Sequence, residues 1–190
     1  VGSEMCIRDR NNGDFKFEEI AKQAGVFAEG NWNTGTTMAD VNGDGYLDIY
    51  VCKSAAVNPD RRRNQLFINN GDLTFTEMGK VYGVDDPGYT TQAAFFDYDN
   101  DGDLDLFVVN QRPVYDMTYR GGIVKSKLYK NNSNKNNWLK VKLEGKHSTT
   151  RGLGARVKLF LPELQMIREV DGGSSHASQN SSIVHFGLGQ

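Results

Sequence analysis

Along most of the chain, apolar residues come in short runs that alternate with polar ones and stop at Asn, Asp or Gly. The segments "TTQAAFFD", "LDLFVVN" and "KLYKNN" are of this kind. Short β-branched and aromatic runs bounded by turn formers predict strands. Two stretches break the rhythm: "EEIAKQAGV" and "EMGKVYGV" each predict a single helical turn ended by glycine. Further on, "WLKVKL" sets Trp138, Lys140 and Lys142 against Leu139, Val141 and Leu143, an alternation that suits a half-exposed strand, and "ARVKLFL" does likewise. The glycines at 152, 154, 172 and 173 mark turns in this part of the chain. No stretch is long and apolar enough to cross a bilayer as a helix.

The pattern repeats. "NNGDFKFEEIAKQAGV" (Asn11 to Val26) returns 58 residues later as "NNGDLTFTEMGKVYGV" (Asn69 to Val84). "ADVNGDGYLDIYV" (Ala39 to Val51) returns 57 residues later as "FDYDNDGDLDLFV" (Phe96 to Val108), and "QLFINN" (Gln65 to Asn70) returns 62 later as "KLYKNN" (Lys127 to Asn132). A unit of roughly sixty residues with about four strands buries too little alone and must pack on its neighbours. Radial packing into a β-propeller suits such units better than a packed sandwich of the same strands. The expected fold is therefore all-β, with about two four-stranded blades over residues 11–132 and a small β-sandwich-like domain over 133–190. An open ring of blades leaves sheet edges uncovered, which predicts self-association.

The densest chemistry lies where each repeat enters a strand. In register, the first loop reads Asp40-x-Asn42-x-Asp44-Gly45-Tyr46-Leu47-Asp48 and the second Asp97-x-Asp99-x-Asp101-Gly102-Asp103-Leu104-Asp105. Oxygen ligands at positions 1, 3 and 5, glycine at 6, a backbone carbonyl at 7 and a carboxylate at 9 make a calcium cage, since calcium takes about six to eight oxygens. Like charges a few ångströms apart repel by roughly 1 kcal/mol per pair in water. A divalent ion turns that repulsion into binding energy. The candidate ligands are Asp40, Asn42, Asp44, Tyr46 (carbonyl) and Asp48, then Asp97, Asp99, Asp101, Asp103 (carbonyl) and Asp105: two calcium sites. An EF-hand is excluded, because position 12 is Val51 or Val108 rather than glutamate and a strand pattern follows each loop.

"DVNGDGYLDIYV" and "DYDNDGDLDLFVVN" resemble the calcium loops of FG-GAP/VCBS repeats, the blades of integrin-α-like propellers. The resemblance covers about Asn11 to Asn132 and implies the same ligand positions, with a weaker first site because Asn42 stands where aspartate is usual. "NNWLKVKLEG", "RGLGARVKLF", "IREVDGGSSHASQNS" and "VHFGLGQ" are similar to the UnbV/ASPIC module that follows such propellers in cartilage-acidic-protein-like and bacterial secreted proteins. That family usually continues past "FGLG" with another strand, so the module is expected to be truncated at Gln190. The first ten residues, "VGSEMCIRDR", fit nothing that follows and resemble translated adapter read-through; they are set apart with Cys6. The chain proper then begins inside a motif, and the lack of a signal peptide carries no information on compartment.

The remaining residues offer little competing chemistry. His147, His176 and His185 lack metal-ligand spacing, "SSHASQNS" lacks a nucleophile elbow, and Gly152-x-Gly154 lacks the Walker spacing. Cys52 lies in an apolar run and is expected to be a buried small hydrophobe. Arg61 to Arg63 read as a solvated basic face. Gln111 to Gly122, with Arg112, Tyr115, Tyr119 and Arg120, is the first place to look for a recognition loop. A net charge of −2 gives no pull toward nucleic acid or anionic membrane. The resemblance implies a non-catalytic, calcium-binding module, secreted or at the cell surface, that recognises a protein or glycan. The alternative is a fragment of a propeller enzyme, a polysaccharide lyase or hydrolase with its catalytic residues elsewhere.

Overall fold

Two sheets stand side by side with their innermost strands adjacent. The computed structural model describes residues 9–27, 32–112, 124–132, 136–162, 164–173 and 180–189. The first sheet contains β3 (Asn33–Ala39), β4 (Asp48–Lys53), β5 (Gln65–Asn69) and β6 (Phe75–Glu77), hydrogen-bonded in that order, all antiparallel. The second contains β7 (Thr90–Phe96), β8 (Asp105–Asn110) and β9 (Lys127–Tyr129). It thus has three described strands where four were expected. Before both comes the hairpin β1 (Asp9–Asn11) and β2 (Phe17–Glu19), which matches β5 and β6 in the repeat. Asp9 and Arg10, from the stretch set apart on sequence, pair with Glu19 and Glu18.

The alternation read in the sequence decides which face of each sheet is buried. Ala39, Val41, Tyr50, Cys52 and Leu66 of the first blade meet Ala93, Phe95, Leu106 and Val108 of the second in one cluster. The opposite face of the first blade, with Val51 and Phe67, is covered by Ala21, Ala24 and Val26 of the preceding repeat. Cys52 is fully buried, as expected, and burial pushes its thiol up. The inner strands approach closely at Gly35, where a Cβ would lie 3.0 Å from the Thr91 carbonyl. Beside it the Thr34 hydroxyl donates to the Thr90 carbonyl at 2.6 Å. The turn at "EMGKVYGV" is the short helix α1 (Gly79–Tyr82), closed by Gly83 at φ 71°.

The C-terminal part holds two antiparallel ribbons. One joins β10 (Asn137–Lys142) to β13 (Ile183–Gly189), the other β11 (Arg156–Phe160) to β12 (Gln165–Glu169). Met166, Val170, Val184 and Phe186 form their core, with Val141 and Leu143 packed against it. The far face of β10 departs from the sequence reading: Trp138 and Lys140 turn toward the second aspartate loop.

Candidate metal centre

Each aspartate loop is a tight curl between two strands, and the same five hydrogen bonds build both. Gly45 N–H donates to Asp40 Oδ2 at 2.9 Å, as Gly102 does to Asp97 Oδ2 at 3.0 Å. Asp48 Oδ2 accepts from Val41 N–H and Asp105 Oδ2 from Tyr98 N–H, at 2.9 and 2.7 Å. Asp44 accepts from Tyr46 N–H and Asp101 from Asp103 N–H; Asn42 and Asp99 accept from Asp44 and Asp101 N–H. The fifth bond crosses to the next strand: Asn69 N–H to Asp48 Oδ1 and Asn131 N–H to Asp105 Oδ1, both 2.8 Å. Gly45 and Gly102, at φ 93° and 100°, supply the left-handed turn predicted at position 6.

Asp48 and Asp105 therefore strap each hairpin shut as well as facing the loop. Burial raises the Asp48 carboxyl to about 7 and also raises Asp40. A cation beside such a carboxyl favours its ionised form. Arg168 lies 3.9 Å from Asp40 Oδ2.

The two loops differ inside. In the first, Asp40 Oδ1 accepts from Asp44 N–H at 3.1 Å, and the Asn42 amide donates to Asp44 Oδ2 at 2.8 Å. The loop largely satisfies itself. In the second, the Asp97 side chain is 4% exposed and its Oδ1 is buried with no hydrogen-bond partner. Ligand oxygens of Asp97, Asp99 and Asp105 lie within 4.8 Å of one another, the one such acidic grouping among the described residues. Lys130 reaches Asp99 and lies 3.3 Å from Asp101, while Lys140 contacts Asp97 Oδ2. The orphaned oxygen and the converging carboxylates fit a hard cation. Tyr46 and Asp103 sit at position 7 of the curl, and the Tyr46 ring turns outward against Gly71.

Sequence reasoning missed Lys130, Lys140, Arg168, Asn69 and Asn131. The two asparagines had a signal: both occupy the fifth place of the repeated "QLFINN" and "KLYKNN". Among the other candidates, His185 Nε2 lies 2.7 Å from the Gly102 carbonyl and its ring stacks on Trp138. Burial lowers its pKa. His176 and residues 113–122 of the proposed recognition loop lie outside the described residues.

The hairpin, the glycine and the strap recur together in consecutive blades, and comparison with known families agrees. The model for "FG-GAP-like repeat" matches residues 7–51 and 55–108, just over half of the chain. The chain belongs to the FG-GAP-like repeat family. The family model "ASPIC and UnbV" matches residues 145–190. Among curated proteins, Cartilage acidic protein 1 of Xenopus tropicalis is 28% identical over 98% of this chain. The protein of that name from Homo sapiens is 25% identical over 98%. The chain spans 28% of the first and 27% of the second.

Proposed function

We propose that this chain is a non-catalytic, calcium-stabilised recognition module of an extracellular protein, presenting blade loops to a protein or glycan. Asp97 Oδ1 carries the reading. A buried oxygen left without a donor costs about 1–3 kcal/mol. A hard divalent ion relieves that cost together with the repulsion among the neighbouring carboxylates. Asp97, Asp99, Asp101 and Asp105 with the Asp103 carbonyl would hold the ion, Lys130 yielding its place. Asp40, Asn42, Asp44 and Asp48 with the Tyr46 carbonyl would hold a second, more weakly, because Asn42 is neutral and its amide already serves Asp44. The relatives are named for cartilage, and the millimolar calcium outside cells suits weak oxygen cages.

Calorimetric titration of the metal-free chain with calcium is expected to register two binding events, the second loop being the tighter. At about a hundred times Kd the melting temperature should rise by roughly 5–10 °C. Asp97→Ala with Asp101→Ala should remove the larger part of that gain. A melting curve that chelator leaves unmoved in the wild type would overturn the metal assignment. Turnover on a polysaccharide panel would overturn the non-catalytic reading.

A further inference from the structure

We infer that the C-terminal strands form the outer wall of both loops, so that ion loading and the seating of these strands are thermodynamically linked. The inference rests on the calcium reading above. At the first loop, Gly187 N–H donates to Asp40 Oδ2 at 3.1 Å and Gly189 N–H to the Gly43 carbonyl at 3.0 Å. The Asn136 amide donates to the Asn42 carbonyl at 2.9 Å, and the Arg168 guanidinium to the Gly45 carbonyl at 3.1 Å. Leu164 and Met166 lie against Gly45. At the second loop, Lys140 holds Asp97 Oδ2, His185 meets the Gly102 carbonyl and Trp138 covers Gly102. One ribbon, β10 paired with β13, thus spans both curls.

These contacts grip backbone carbonyls and the outer oxygen of each position-1 aspartate. The Oδ1 atoms of Asp40 and Asp97 are left facing the loop. The strands therefore recognise the curled shape of each loop without filling its interior. An ion that holds the curl favours seating, and seating must favour the ion by the same factor. Charge agrees. Once Lys130 gives way, the second loop sets four ligand carboxylates against Lys140, and the first sets three against Arg168. Each is left with at least two negative charges for a divalent ion to meet. Gly187 explains why the "FGLG" segment needs glycine here: Phe186 fills the ribbon core, and a Cβ on Gly187 would lie 2.5 Å from Gly43 Cα.

The test is calorimetry and hydrogen exchange on the full chain with calcium chloride, using Gly187→Val and Trp138→Ala. Neither residue is a candidate ligand. Gly187→Val should weaken the first site, and Trp138→Ala the second, by about 5- to 100-fold, the usual span of coupling between sites. In the wild type, calcium should slow amide exchange in β10 and β13. If Gly187→Val fails to fold, Trp138→Ala decides, since it inserts no bulk. Wild-type affinity in a folded variant, with β10 and β13 exchange indifferent to calcium, overturns the coupling alone. No uptake by the wild type overturns the metal reading and the coupling with it.

Discussion

Asn64 ties the two blades at a single buried residue. Its side-chain Oδ1 accepts from Lys53 N–H at 2.8 Å, and its Nδ2 donates to Tyr50 Oη and Thr90 Oγ1 at 3.0 and 2.9 Å. From Thr90 the chain of bonds runs to Asn110 and on to Asp86, which pairs with Lys127. Removing a hub of this kind leaves buried partners without bonds, so Asn64→Ala should lower the unfolding free energy by about 1–3 kcal/mol. Urea denaturation measures it, and the loss should be equal with and without calcium, because the network does not touch the loops. Nothing in the sequence marks Asn64; its counterpart in the next repeat is Ser126, so the repeat carries no signal. The arginine triplet is exposed at Arg61 and Arg63, as read, and misled only at Arg62. Arg62 stacks on Tyr89 and donates to the carbonyls of Ala56, Val57 and Pro87, while Arg63 pairs with Asp60 and Asp85. A basic run looks alike on paper whether it is solvated or inserted.

Elements were legible wherever their signals are local. The turn glycines, the alternation of β4 and β8 and the position of Gly83 follow from spacings within a few residues. Blade-to-blade packing followed from the same alternation, since Tyr50 and Cys52 share one face of β4 while Leu106 and Val108 share one face of β8. Val108 has no exposed surface in that shared cluster. Val108→Ala should cost about 2 kcal/mol through lost contact and a residual cavity. Chemical denaturation should show one transition shifted as a whole, because both blades share the cluster. The roles of Lys140, Arg168 and His185 were not legible. They lie 43, 128 and 83 residues from their partners Asp97, Asp40 and Gly102, and no periodicity connects positions that far apart.

At the scale of the molecule, each blade ends in an outer strand with one ladder partner among the described residues: β6 pairs with β5 alone and β9 with β8 alone. A strand edge of this kind is a template for another chain. Sedimentation velocity should therefore report a weight-average mass that rises with concentration, and a single monomeric species throughout would contradict it. The two blades are also stitched together at the rim. Asn131 lends its backbone N–H to Asp105 in one loop and its side-chain amide to the Val41 carbonyl in the other, at 2.8 and 2.9 Å. Each curl is thereby buttoned to its neighbour. A shift of Asn131 at one hairpin is passed to the other.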